Sequence, residues 1–126
     1  MLQRKNYTEL GEPVGPYVHA VHCNGLLFLS GVTAFGTPAA QGDIGQQARA
    51  CFAQIARIAA AEGTTLSSLV KVTLFVTSFQ DIRALRAALF ETYGAELPAS
   101  SLVRVAGLFA PELSIEVEGI LALEPR

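Results

Sequence analysis

Few residues in this chain have the type and spacing to do chemistry. Glu116 is a carboxylate among apolar neighbours near the chain end, in Ile115-Glu116-Val117-Glu118. Two readings of it stand open: a pocket carboxylate, or a strand residue that faces solvent or an ion-pair partner. His19 and His22 have no acidic or cysteine partner at useful spacing, so they make no metal site between them. Cys23 and Cys51 show neither a C-x-x-C arrangement nor metal-ligand spacing and read as small buried hydrophobes. Gly15-Pro16 reads as a turn; neither G-x-x-x-x-G-K nor G-x-G-x-x-G occurs, so no phosphate loop is present.

These groups need a scaffold, and composition bounds it. The chain of 126 residues suits one compact domain, read as 1–126. Hydrophobic residues make up 51%, enough for a core. A domain of this size still buries only about two-thirds of its unfolded surface, so association through an apolar face is a natural supplement. The net charge of −2 comes without a basic stripe to neutralise phosphates, which argues against nucleic acid as a partner. No apolar run reaches the roughly 18 residues needed to span a bilayer, which argues against a membrane. Met1-Leu2-Gln3-Arg4-Lys5 carries charge with no apolar stretch behind it, so no signal peptide is expected. A reduced, cytoplasmic setting fits the two cysteines.

The pattern along the chain gives the elements. Tyr17 to Cys23 reads as a strand. Asn24-Gly25 follows as a hairpin turn, since both residues tolerate positive φ. The partner run, Leu26 to Ser30, is too apolar to leave a face in water, and Gly31 to Gly42 reads as a loop. Asp43 with Gln46 forms a capping box. Ile44, Ala48, Cys51, Phe52, Ile55, Ile58 and Ala59 then recur at helical spacing, with Gln47, Arg49, Gln54 and Arg57 on the other side and Gly63 as a left-handed stop. Val70 to Val76 reads as a strand with Val70, Val72, Leu74 and Val76 on one face. Ser78 with Asp81 is a second capping pattern, opening a helix to about Tyr93 that Gly94 closes. Strands follow near Ser101 to Val105 and from Ser114 to Leu123, the latter with Glu116 and Glu118 on one face. The order is β-β-α-β-α-β-β, with a further short strand near Tyr7. Both helices can cover the same face of one mixed sheet, giving a two-layer α+β domain.

Several segments together resemble the Rid (YjgF/YER057c/UK114) family. They are Gly15-Pro16-Tyr17, Leu29-Ser30-Gly31, Gln47-Ala48-Arg49, Val70 to Val76, Leu97-Pro98-Ala99-Ser100-Ser101 and Ile115-Glu116-Val117-Glu118. They match that family's G-P-Y, S-G, Q-A-R, K-x-T-V-F-V, P-A-R-S and I-E-I-E segments in order and approximate spacing. The resemblance implies a chorismate-mutase-like fold, a homotrimer, and small-molecule pockets in the clefts between subunits. It also implies hydrolysis of reactive enamines and imines to keto acids and ammonia, with no metal or organic cofactor. Older descriptions of the family as endoribonucleases find no support in this composition.

The resemblance also implies site residues. Glu116 matches the glutamate that positions the attacking water. Tyr17 and Ser30 match pocket-lining positions; their plain alternatives are an aromatic packed at a strand start and a turn-entry serine. Ser100 stands where the family carries an arginine that grips the substrate carboxylate with two parallel hydrogen bonds. A serine offers one hydroxyl and no charge, so the usual 2-imino acids are not the expected substrates. Leu102 and Arg104 complete the expected substrate-binding set. Arg104 lies four residues beyond Ser100 and so on the same strand face, roughly 13 Å along it; its alternative is an ion pair within the sheet. Arg86 reads as a solvated helix residue. A non-catalytic binder of small metabolites is the second reading of the same cleft.

Overall fold

The computed structural model describes residues 1–124. Its strands are β1 (Gln3–Lys5), β2 (Ala20–Cys23), β3 (Leu26–Val32), β4 (Leu69–Val76), β5 (Ala99–Arg104) and β6 (Ile115–Ala122). Its helices are α1 (Ile44–Ala61) and α2 (Ile82–Tyr93). The strands form one sheet in the order β1-β2-β3-β6-β4-β5. β4 and β5 run parallel across the α2 crossover, and the other neighbours are antiparallel. The architecture is the expected two-layer α+β arrangement, a mixed sheet with two helices on one face. Leu27, Val72, Leu74, Val117 and Leu121 pack from the sheet against Cys51, Ile55 and Ile58 of α1 and Leu85 and Ala88 of α2.

Local chemistry explains the boundaries. Asn24 (φ 52°) and Gly25 (φ 77°) make the hairpin turn between β2 and β3. Asp43 accepts from the Gln46 N–H while the Gln46 side chain accepts from the Asp43 N–H, both at 2.9 Å, so the capping box is complete. Gly63 (φ 82°) follows the end of α1 and Gly94 (φ 60°) the end of α2, each in the left-handed region that stops a helix cheaply.

Four local expectations need correction. The strand expected from Tyr17, β2, starts at Ala20, because the backbone carbonyls of Val18 and His19 bond Ser30 in place of a ladder partner. A bulge in β4 inserts Val70 as an extra residue between Leu69 and Lys71. Leu69 therefore points into the core and Val70 is 45% exposed. Ser78 accepts from the Gln80 N–H in a tight turn, and Asp81 precedes α2 without a side-chain cap. Gln47 is on the inner side of α1 and has no exposed surface.

Candidate active site

A second bulge builds the site. The β3–β6 register is regular from Leu26 to Leu29 and shifts before Val32, so Ser30 and Gly31 leave the ladder. The turned-out backbone at Gly31 lets the Glu116 carboxylate of β6 lie against it. A Cβ at Gly31 would come within 2.2 Å of Glu116 Oε2, so only glycine admits this approach. Ser30 donates through Oγ to the Val18 carbonyl at 2.6 Å and pins the segment after Tyr17 onto β3. Beneath the bulge the Cys51 thiol donates to the Val32 carbonyl at 3.4 Å. Burial first, and the nearby Glu116 charge second, push that thiol up to about 12, so it stays protonated and inert.

Tyr17, Ser30, Gly31, Phe35, Phe109 and Glu116 surround a hollow of about 490 Å³. Three residues read from the sequence, Tyr17, Ser30 and Glu116, thus converge. Glu116 is half-buried and makes no salt bridge among the described residues. Its carboxyl is raised from the ordinary value, first by burial and then by the negative charge of Glu118. A basic carboxylate beside open space can hold a water and take its proton.

Ser100, Leu102 and Arg104 lie elsewhere in the chain. Their register partners on β4 are Val72, Leu74 and Val76, which face the helices, whereas Glu116 pairs with Phe75 on the opposite sheet face. Ser100 borders a separate apolar hollow with Arg86, Phe90 and Tyr93. One chain by itself therefore does not bring Ser100 to Glu116. Arg104 shares the strand face of Ser100, as four-residue spacing requires, and forms no salt bridge among the described residues.

Both histidines have structural surroundings. His19 Nδ1 accepts from the Tyr7 N–H at 2.8 Å, and its ring stacks on Tyr7. His22 pairs with Gln3 at 3.2 Å. A larger hollow, of about 930 Å³, lies near His22 and the end of α1. Two acids line it, Glu62 and Glu124, and Glu62 is already gripped by Lys5 through both oxygens at 2.9 Å and by the Tyr7 hydroxyl at 2.7 Å. Among the described residues no cluster of three His, Cys, Asp or Glu side chains converges as metal ligands. No helix there is long and apolar enough to cross a membrane.

Sequence reasoning missed Gln47, Phe35 and Phe109. The Gln47 amide donates to the carbonyls of Ala40, Gly42 and Glu112 and accepts from the Ser114 N–H at 2.8 Å. It ties the loop after β3 to the loop before β6, over a small core of Ala34, Ala40 and Leu113. Those loops carry Phe35 and Phe109. A signal for Gln47 was available, since it falls three residues after Ile44 and four before Cys51 on the apolar stripe. Nothing local marks the two phenylalanines, because loops distant in sequence bring them together.

The single mixed sheet with two helices on one face is a chorismate-mutase-like fold, and its bulge-seated Glu116 borders an open hollow. The chain belongs to the family described as endoribonuclease L-PSP, whose model matches residues 8–123. It is similar to the 2-iminobutanoate/2-iminopropanoate deaminase of Dermatophagoides farinae, at 30% identity over 90% of each chain. It is 33% identical to the protein of that name from Salmonella typhimurium, over 85% of this chain and 87% of the relative. Among solved structures it superposes on a Mycobacterium tuberculosis member of the highly conserved YjgF/YER057c/UK114 family with a TM-score of 0.81 and 27% identity. That match covers 98% of this chain and all of the other.

Proposed function

We propose that this chain is a deaminase-type hydrolase of imines or enamines, acting as a cytoplasmic homotrimer without metal or organic cofactor. Its substrates are not the small 2-imino acids for which its relatives are named. The observation that carries the reading is Glu116, half-buried against Gly31, raised in pKa and facing a hollow shared with Tyr17 and Ser30.

In the proposed reaction Glu116 takes a proton from a held water as its oxygen attacks the C=N carbon. The π pair moves to nitrogen, giving a carbinolamine. Starting from the protonated imine, Glu116 then returns that proton to nitrogen and takes the hydroxyl proton as C=O forms and the C–N bond breaks, so ammonia leaves and the carboxyl keeps the proton the imine brought. Ser100 stands where the family resemblance places a carboxylate-gripping arginine. Each charge-assisted hydrogen bond lost there removes about 1.5–3 kcal/mol of substrate binding. Because Ser100 and Glu116 occupy opposite faces of one sheet, they meet only when a second copy lays its β5 beside the first copy's hollow.

The test is ammonia release from a freshly generated 2-imino acid. The wild type is expected to be slow, Ser100→Arg to gain activity, and Ser100→Arg combined with Glu116→Gln to lose that gain. Wild-type turnover matching that of the Salmonella relative would refute the substrate claim. A folded, trimeric Ser100→Arg chain without gain would favour a non-catalytic binder of small metabolites.

A further inference from the structure

The walls of the Glu116 hollow carry information that the reaction class does not use. Tyr17, Phe35 and Phe109 are 44%, 46% and 66% exposed, a large outlay of aromatic surface around one opening. Phe35 and Phe109 meet edge to face, with centroids 4.9 Å apart and planes at 85°. Their loops are not loose. Gln47 bonds both of them, and Ala34 and Leu113 pack beneath. The Thr37 hydroxyl donates to the Ala34 carbonyl at 2.7 Å and closes the turn after Phe35. The rings are thus held in place before a ligand arrives, so little ordering cost falls on binding.

The charge of the hollow is one-sided. Glu116 is the one carboxylate among its lining residues, and no lysine or arginine joins it there; the adjoining hollow, which shares Tyr17, Ser30 and Phe35, adds Glu12 and His19, whose Nδ1 already accepts from the Tyr7 N–H. Within one chain a carboxylate-bearing ligand would meet a like charge and no counter-ion. A planar cation would meet a carboxylate and the negative faces of aromatic rings, both attractive. The volume, about 490 Å³, suits a ligand larger than a four-carbon imino acid.

We propose that this hollow selects positively charged, planar C=N compounds that bear an aryl or similarly flat apolar group and lack a carboxylate. The inference rests on the hydrolytic reading only for the choice of a C=N group; the selection by ring and charge stands on the walls themselves.

Three probes separate the contributions. Benzamidine has the ring and the planar cation, acetamidine the cation without the ring, and benzoate the ring with opposite charge. Calorimetric titration of the full chain in its native assembly is expected to show benzamidine binding at least about tenfold tighter than either of the others. Phe109→Ala and Phe35→Ala should bring benzamidine down towards acetamidine, and Phe109→Leu, which keeps apolar bulk without a ring, should do so in part. Glu116→Gln should remove the preference over benzoate. Benzoate binding as tight as benzamidine overturns the inference. If that binding also falls in Arg104→Ala, a neighbouring copy supplies a cation, and the hydrolytic reading survives. Benzamidine affinity unchanged in both phenylalanine variants, or no binding of any probe, overturns it as well. Failure of the hydrolytic reading looks different: benzamidine binds as expected, yet no imine releases ammonia in a Glu116-dependent way.

Discussion

Glu116 and Glu62 are both partly buried acids, and their surroundings push them in opposite directions. Glu116 is raised by burial and by Glu118, so the folded chain binds this proton more tightly than the unfolded chain does. Its contribution to stability is therefore fullest at low pH and declines as pH rises from the unfolded value, about 4.3, through the folded one. Burial alone would raise Glu62 too, but hydrogen bonds from Lys5 and Tyr7 and the charges of Lys5 and His22 outweigh it, and its carboxyl is lowered. The Glu62 contribution is present above about 4.3 and is lost as pH falls through the folded value. Glu116→Gln should accordingly melt higher than wild type at pH 7, with the difference shrinking towards pH 4, while ammonia release falls by about a hundredfold or more. Thermal melts at the two pH values check this. A lower melting temperature at pH 7 would show that the carboxylate is held by contacts that favour its charge.

Between elements, the Gln47 amide does what no strand or helix does, joining two loops that carry opposite walls of the hollow. Gln47→Leu keeps approximate volume but leaves the Ala40, Gly42 and Glu112 carbonyls and the Ser114 N–H without this partner. A loss of about 3 kcal/mol in urea unfolding is expected. It should come with faster amide exchange at residues 34–42 and 108–114. Asp43→Ala, which removes the side-chain half of the α1 capping box, is the comparison, with a cost of about 1 kcal/mol and no effect on the 108–114 loop. Equal exchange in both variants would show that the loops are held without Gln47.

For the whole molecule, the sheet face away from the helices matters most, because it leaves large apolar side chains exposed among the described residues. Phe28 and Val103 are 43% and 40% exposed, and Phe75 lies between Glu116 and Val103 in register. An apolar sheet face of this kind is covered in a stable protein, and a second and third copy are the proposed cover. Light scattering at micromolar concentration should return three chain masses. Val103→Asp, which adds a charge on that face without touching the helix side, should shift the mass towards one chain with far-ultraviolet circular dichroism retained. A monomeric wild type would remove the neighbour from the proposed site and leave Ser100 with no route to Glu116.

The sequence by itself determined what depends on near neighbours along the chain. The Asn24-Gly25 turn, the Asp43–Gln46 box, the helical stripe from Ile44 to Ala59 and the alternation through β6 each follow from spacing within a few residues. Glu116 was legible for the same reason, as a charge on the outer side of an alternating strand. Tertiary structure decided what depends on register between distant segments. The bulge at Ser30-Gly31 is a shift in the register between β3 and β6, strands far apart in the chain, and it seats the Glu116 carboxylate against Gly31. The bulge at Val70 sends one valine of an apparent apolar face outward. Gln47 is buried because four backbone groups from loops up to 67 residues away need its amide. Ser100 and Glu116 part company because their strands, β5 and β6, both pair with β4 in registers that send the two side chains to opposite faces, and no spacing within either segment encodes that pairing.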